Sequence, residues 1–121
     1  MSSTFVGIVM GSDSDLAIMA ESAKVLEQLA VATEVRILSA HRVPEDLVRW
    51  IRDAEARGCK VFIAGAGMAA ALPGTIAGHT NLPVIGVPLT SSSSAAGGMD
   101  AILSIVQMPP GVPVATVGLN G

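Results

Sequence analysis

A hydroxyl, an imidazole and a guanidinium lie within four consecutive residues, Ser39-Ala40-His41-Arg42. The planar guanidinium of Arg42 can donate two parallel hydrogen bonds to a phosphate or a carboxylate. Histidine is the side chain whose unperturbed pKa lies closest to neutral pH, so His41 is a candidate proton carrier. Together these residues predict a site that holds an anion and moves a proton. In the alternative interpretation, Ser39 caps a helix, Arg42 is solvated and His41 has no role.

A strand and a helix flank this tetrapeptide. The mostly apolar run Val35 to Leu38 predicts a buried strand, and Pro44 begins a helix that extends to about Arg57. In an open α/β sheet, loops that lead from the carboxyl end of a strand into a helix gather at one edge, where ligands bind. We therefore expect the hydroxyl, the imidazole and the guanidinium at that edge.

The rest of the chain alternates strand and helix patterns. Continuous apolar runs predict strands, and apolar stripes at helical spacing predict helices. The predicted elements are a strand at 5–10, a helix from 16 to about 30, a strand at 35–38, a helix at 44–57, a strand at 61–64, a helix at 75–77, a strand at 83–88, a helix at 99–106 and a strand at 114–117. This alternation predicts one three-layer α/β domain, flavodoxin-like or Rossmann-like, whose central parallel sheet is covered on both faces.

Four loops should open on the same edge of this sheet, because each follows a strand and precedes a helix. They are 11–15, 39–42, 65–72 and 90–98. Such loops offer free backbone N–H groups and positive helix ends to an anion. In the first loop, Ser14 or Asp13 could cap the helix, and Asp15 could accept hydrogen bonds from sugar hydroxyls. The small residues of the third loop let backbone approach a flat ring, and the serine-rich fourth loop could fold over and exclude water.

The chain lacks the sequence patterns of several other functional classes. Gly65-x-Gly67 is not followed by the final glycine of a dinucleotide-binding loop, and no Gly-Lys-Ser or Gly-Lys-Thr of a nucleoside triphosphatase is present. Two separated histidines and one cysteine predict no metal site. We expect Cys59 to be an apolar core residue and His79 to be a solvated turn residue.

The composition limits the partners. Only 14% of the residues are charged, whereas an average domain has roughly 25%. Because little charge is available to cover a surface, we predict a homo-oligomer. A net charge of −3 and an aromatic content of 2% argue against a nucleic-acid partner. No apolar stretch approaches the ~20 residues of a membrane span, and the single cysteine fits the cytoplasm.

Six stretches together resemble the PurE family of purine biosynthesis. They run in family order over nearly the whole chain, at 8–15, 39–44, 63–67, 72–74, 83–88 and 104–109. The resemblance implies a flavodoxin-like subunit of an octamer, with no metal and no organic cofactor. It also implies the class I activity, a mutase that moves a carboxylate from the exocyclic nitrogen of an aminoimidazole ribonucleotide to a ring carbon.

The resemblance further implies the roles of individual residues. His41 would be the catalytic proton carrier, acting first as an acid and then as a base. The ribose-phosphate part would be held mainly by side chains of the first two loops. The residues implied to bind the substrate are Ser12, Asp15, Ser39, Arg42, Gly67 and Leu72.

Two departures from the class I pattern leave alternatives open. Ala71 stands where class I members usually have a histidine before Leu-Pro-Gly. Class II carboxylases, which use free carbon dioxide and the uncarboxylated ribonucleotide, resemble the chain there, as does a synthase that carboxylates a pyridinium nucleotide. A non-catalytic domain that binds phosphorylated ribosides is the third alternative. Class I chains also usually continue into a further helix that packs on neighbouring subunits, so we expect the domain predicted for 1–121 to lack that C-terminal helix.

Overall fold

A computed structural model describes residues 4–121, and the first three residues of the predicted domain lie outside the described residues. Within the described range, five parallel strands form one sheet in the order β2-β1-β3-β4-β5. The elements are β1 (Phe5–Met10), α1 (Leu16–Gln28), β2 (Thr33–Ile37), α2 (Pro44–Arg57), β3 (Cys59–Gly67), α3 (Leu72–Ala77), β4 (Val84–Leu89), α4 (Met99–Val106) and β5 (Ala115–Thr116). This order is the flavodoxin-like one, so the predicted fold class is confirmed.

Helices cover both faces of the sheet, but unequally. On one face α2, α3 and α4 bury apolar side chains, among them Leu47 and Ile105, which are both 0% exposed. On the other face α1 packs through Met19. Towards β5 on that second face, Ile85 is only partly buried and Val117 is 38% exposed. The prediction of a sheet covered on both faces therefore holds fully near β1 and only partly near β5.

The bounds of α2 follow from its own sequence. Pro44 occupies an early helical position, and the acidic side chains of Glu45 and Asp46 lie in the first turn, where the positive end of the helix dipole favours them. The helix ends at Gly58, whose φ of 111° is a left-handed conformation that glycine adopts without strain. Both predicted ends of this helix are confirmed.

β3 is longer than predicted, because its second half consists of small residues that looked like a loop. Gly65 and Gly67 pair with Val87 and Leu89 of β4. A Cβ at position 67 would lie only 2.9 Å from the carbonyl oxygen of Leu89, so the neighbouring strand requires a glycine there. Strand pairing thus overrides the low strand propensity of glycine, and the loop begins at Met68.

The other differences from prediction lie at element ends and on the edge strand. β2 is shifted towards the N-terminus, and Ile37 is 44% exposed, so β2 is not the buried strand expected. α3 begins at Leu72, earlier than predicted, whereas α1 ends before residue 30 and β5 is shorter than expected. Leu16, the first residue of α1, and Leu29, the residue after its end, are 41% and 67% exposed.

A charged network joins β2 to α2. The carboxylate of Glu34 accepts hydrogen bonds from Nε1 of Trp50 at 2.8 Å and from Nη1 and Nη2 of Arg57 at 2.6 and 2.8 Å. Arg36 lies 3.0 Å from the same carboxylate. The Trp50 ring packs edge-on against Phe62, with centroids 5.4 Å apart. The network therefore holds in place the strand that leads into the loop of His41.

Candidate active site

A cavity of ≈ 420 Å³ opens at the carboxyl edge of the sheet. It lies beside the point at which the strand order reverses, which is where ligands bind in sheets of this type. Residues that follow β1, β2, β3 and β4 all line it, so the four predicted loops meet. Its volume is within the range of small-molecule sites. The lining includes every site residue named from the sequence: Ser12, Asp15, Ser39, His41, Arg42, Gly67 and Leu72.

The loop after β2 is a tight turn that directs two side chains outward. The hydroxyl of Ser39 accepts a hydrogen bond from the backbone N–H of Arg42 at 3.2 Å, and the Ser39 carbonyl accepts one from Val43 at 3.0 Å. Val43 is the N-cap of α2, so Ser39 shapes the turn and does not cap the helix. His41 and Arg42 are exposed, and within residues 4–121 neither side chain has a hydrogen bond or ion pair. Both are free to contact a ligand.

The loop after β1 contains a short 3₁₀ turn, Asp13–Asp15, before α1. The hydroxyl of Ser12 caps this turn by accepting a hydrogen bond from the backbone N–H of Ser14 at 3.3 Å. The N-cap of α1 itself is Asp15, whose side chain makes no cap hydrogen bond, so the prediction that Ser14 or Asp13 caps the helix is wrong. Partial burial raises the pKa of Asp15, and a backbone hydrogen bond with Ser12 partly offsets this effect. This loop contributes hydroxyl groups and one partly buried carboxyl group to the cavity.

The loop after β3 and the end of β4 contribute an apolar wall. Its members are Met68, Ala69, Ala71, Leu72 and Leu89. Met68 is 49% exposed and has a φ of +53°. Neither Met68 nor Leu89 is predicted from the sequence as a site residue, because Leu89 lies beyond the predicted end of β4 and nothing local distinguishes Met68. The cavity thus combines a polar part from the first two loops with an apolar part from the third.

The loop after β4 is anchored by Asn120, a residue that no local sequence signal marks. The side-chain amide of Asn120 donates to Oγ1 of Thr90 at 2.8 Å, and its Oδ1 accepts from the backbone N–H of Thr90 at 3.1 Å. The backbone N–H of Asn120 donates to the carbonyl of Pro88 at 2.8 Å. Thr90 and the serines 91–93 that follow it line the cavity. Asn120 therefore fixes the base of the serine-rich loop.

The remaining candidate residues lie outside the cavity. His79 is exposed after α3, with Nδ1 2.8 Å from the carbonyl oxygen of Thr75, as expected of a turn residue. Cys59 is 2% exposed, and burial raises the pKa of its thiol, which agrees with a core position. In the part of the chain that the structure describes, no group of three or more His, Cys, Asp or Glu side chains could hold a metal ion. No helix of residues 4–121 is long and apolar enough to span a bilayer.

Comparison with known proteins connects this cavity to a family. A family model described as AIR carboxylase matches residues 5–121. The N5-carboxyaminoimidazole ribonucleotide mutase of Pyrococcus abyssi is 60% identical over 116 residues, covering 96% of this chain and 66% of that protein. The phosphoribosylaminoimidazole carboxylase of Schizosaccharomyces pombe is 54% identical over 118 residues, covering 98% of this chain and 21% of that protein.

A solved structure agrees with this match. The crystal structure of Treponema denticola PurE superposes with a TM-score of 0.84 at 31% identity, covering 97% of this chain and 73% of that one. The chain spans about two thirds of the length of the mutases that it matches, 66% for the protein of Pyrococcus abyssi.

Proposed function

Because the chain belongs to the AIR carboxylase family, we propose that it is a carboxyaminoimidazole ribonucleotide mutase of purine biosynthesis. The proposed reaction moves a carboxylate from the exocyclic nitrogen of an aminoimidazole ribonucleotide to a carbon of its ring. One observation carries this proposal: His41 lines the same cavity as Ser12, Asp15 and Arg42. That arrangement places a proton carrier beside groups that suit a phosphorylated sugar.

The polar part of the cavity would bind the ribose-phosphate. Arg42 would pair with the phosphate, because its guanidinium can donate two parallel hydrogen bonds and has no protein partner among the described residues. The carboxylate of Asp15 and the hydroxyl of Ser12 would hold the ribose hydroxyls. Gly67 and Leu72 would border the ring, where the lining is apolar.

His41 would transfer one proton in two opposite steps. In the first, the bond between the exocyclic nitrogen and the carboxylate carbon breaks, carbon dioxide leaves, and the protonated imidazole gives its proton to that nitrogen. In the second, the ring carbon bonds to the carbon dioxide, and the neutral imidazole takes the proton from that ring carbon. The imidazole ends protonated, as it began, and the carbon dioxide released in the first step is consumed in the second, so the net reaction is an isomerisation. A group that acts as acid and base in turn needs a pKa near the working pH, which histidine provides.

Replacing His41 tests this assignment. His41→Ala removes the ring, and His41→Asn keeps a polar side chain that cannot carry the proton. We expect kcat to fall by roughly 10²- to 10⁴-fold in both variants, the usual effect of a lost general acid or base. Calorimetry should show that the carboxylated ribonucleotide still binds, since the groups that hold the ribose-phosphate are unchanged. Turnover close to that of the unmodified protein in either variant would refute the role of His41.

Ala71 supports a second candidate function, a carboxylase that uses free carbon dioxide. This residue lines the cavity and provides only a methyl group where class I members usually have an imidazole. The substrate would then be the uncarboxylated aminoimidazole ribonucleotide or a pyridinium nucleotide. Two assays separate the candidates: the carboxylated ribonucleotide alone, and each uncarboxylated substrate with bicarbonate. Turnover only in the first supports the mutase, turnover only in the second supports a carboxylase, and binding without turnover supports a phosphoriboside-binding domain.

We also propose that the protein is a cytoplasmic homo-oligomer, an octamer by its resemblance to PurE. The low content of charged residues supports self-association, as does a row of exposed apolar side chains on α4, where Met99, Leu103 and Val106 are 46% to 53% exposed. The single, buried Cys59 fits a reducing compartment. Sedimentation equilibrium would give the mass of the assembly, and a monomer at micromolar concentration would contradict self-association.

A further inference from the structure

Met68 has a backbone conformation that a methionine seldom adopts. Its φ of +53° lies in the left-handed region, which favours glycine and strains residues that have a Cβ. The preceding residue, Gly67, pairs with Leu89 of β4 and has no room for a side chain. Strand pairing therefore fixes the chain up to the residue before Met68, and the turn that follows requires the positive φ. A glycine at position 68 would fit this turn without strain.

Burial of the Met68 side chain does not offset the strain. The residue is 49% exposed and is absent from both hydrophobic clusters that the described residues form. In contrast, Met19 is 1% exposed and packs in the core. A strained residue with a half-exposed apolar side chain adds little to the stability of the fold. Such backbone outliers concentrate at ligand sites, where the strain has a functional reason.

The cavity provides that reason, because Met68 belongs to its apolar wall. The other members are Ala69, Ala71, Leu72 and Leu89. Among them Met68 has the longest and most flexible side chain, and a thioether makes favourable contacts with the edges of flat rings. Leu72 and Leu89 are 2% and 1% exposed, so both are held by the core. Among these five residues, only Met68 combines a long side chain, half exposed, with a position on the wall where a heterocycle would lie.

We propose that Met68 is a specificity-determining residue that covers the bound heterocycle and keeps carbon dioxide in the cavity between the two steps. This inference rests on the proposed mutase function. After the nitrogen–carbon bond breaks, the carbon dioxide has two fates. It bonds to the ring carbon, which completes the isomerisation, or it escapes and leaves the uncarboxylated ribonucleotide, whose nitrogen keeps the proton from His41. The Met68 side chain favours the first fate by closing the apolar wall against water.

An isotope experiment measures this partition. The substrate has a ¹³C-labelled carboxylate, and the medium contains unlabelled bicarbonate with carbonic anhydrase, so any released carbon dioxide mixes with the medium. We expect the unmodified protein to keep the label in its product. Met68→Gly should lose label about tenfold more often, the effect of a modest change in the relative barriers of the two fates. Met68→Leu should restore retention, since leucine is apolar and similar in size.

Two controls separate this role from a structural one. The melting temperature of Met68→Gly should equal or exceed that of the unmodified protein, because glycine relieves the strain at φ +53°. Val25→Ala changes an apolar side chain on α1 that is 52% exposed and does not line the cavity, so it should leave label retention unchanged. Label loss in Val25→Ala would overturn the proposal, because retention would then depend on apolar surface in general.

The outcomes distinguish the two proposals. If the unmodified protein turns over and retains label while Met68→Gly retains it equally, the inference about Met68 is wrong and the mutase function stands. If the unmodified protein does not convert the carboxylated ribonucleotide, the mutase function is wrong and the role of Met68 falls with it. Increased label loss in Met68→Gly, with recovery in Met68→Leu, supports both.

Discussion

Glu34→Gln tests whether the network between β2 and α2 stabilises the protein through charge. Glutamine keeps one oxygen that can accept the Nε1–H of Trp50 but replaces the other with an NH₂ group facing Arg57. That NH₂ group cannot accept the hydrogen bond that Nη1 of Arg57 donates at 2.6 Å. The variant therefore removes the ion pair while changing the size of the side chain very little.

The size of the effect follows from the pKa of Glu34, which the structure lowers to about 2 from its ordinary 4.5. Hydrogen bonds from Arg57 are the main cause, and those from Trp50 add to it. A lowered pKa stabilises the folded state above pH 4.5, and this stabilisation is lost as the pH falls through 2. The full shift corresponds to roughly 3 kcal/mol. Because Arg57 is 42% exposed, solvent screening reduces the expected contribution to about 1 to 2 kcal/mol.

Urea unfolding of both proteins across a pH series, at one protein concentration, measures this contribution. We expect Glu34→Gln to be less stable by about 1 to 2 kcal/mol at pH 7, with the difference shrinking towards zero below pH 4.5. Glu21→Gln is the matched control, because Glu21 pairs with Lys24 at 3.5 Å and both side chains are 68% exposed. Its effect should stay below about 0.5 kcal/mol. A loss of stability in Glu34→Gln that does not depend on pH would refute the electrostatic reasoning.

Two further variants probe residues that line or support the cavity. Asp15→Asn removes a carboxylate that is costly to keep charged in the folded state at neutral pH, since burial raises its pKa. We expect an equal or higher melting temperature at pH 7, and a lower one would contradict the cost of the buried charge. The KM for the ribonucleotide should rise roughly tenfold, the usual effect of losing a hydrogen bond to a charged group. Asn120→Ala removes both side-chain hydrogen bonds to Thr90 and should loosen the serine-rich loop, raising KM about fivefold with kcat little changed. Asn120→Asp keeps an acceptor for the Thr90 N–H, so its KM should lie between those of the unmodified protein and Asn120→Ala. Steady-state kinetics that show a loss of kcat alone would contradict the positioning role of Asn120.

Much of the architecture could be predicted from short stretches of sequence. Pro44 marks the start of α2 and Gly58 marks its end, and the apolar runs of β1 and β4 indicate buried parallel strands. These signals are local, because caps and apolar periodicity depend on residues a few positions apart. The alternation of strands and helices predicts that four loops lie at one edge of the sheet. His41 and Arg42 belong to one of these loops and line the cavity at that edge.

Other features depend on residues that are distant in sequence. The small residues of β3 form a strand only because β4 lies beside them, and Asn120 reaches Thr90 across 30 positions of chain. The hydroxyl of Ser39 shapes a turn where the sequence equally allowed a helix cap.

By itself, the sequence determined that the sheet is parallel, the order of its strands and helices along the chain, and the sheet edge at which the site residues lie. Each of these features depends on local periodicity and on residue type. Only the tertiary structure decided the positive φ of Met68, the close contact of Gly67 with Leu89 and the uneven covering of the sheet. These features arise from strand pairing and side-chain packing between distant segments, and no short stretch of a chain specifies what will lie beside it.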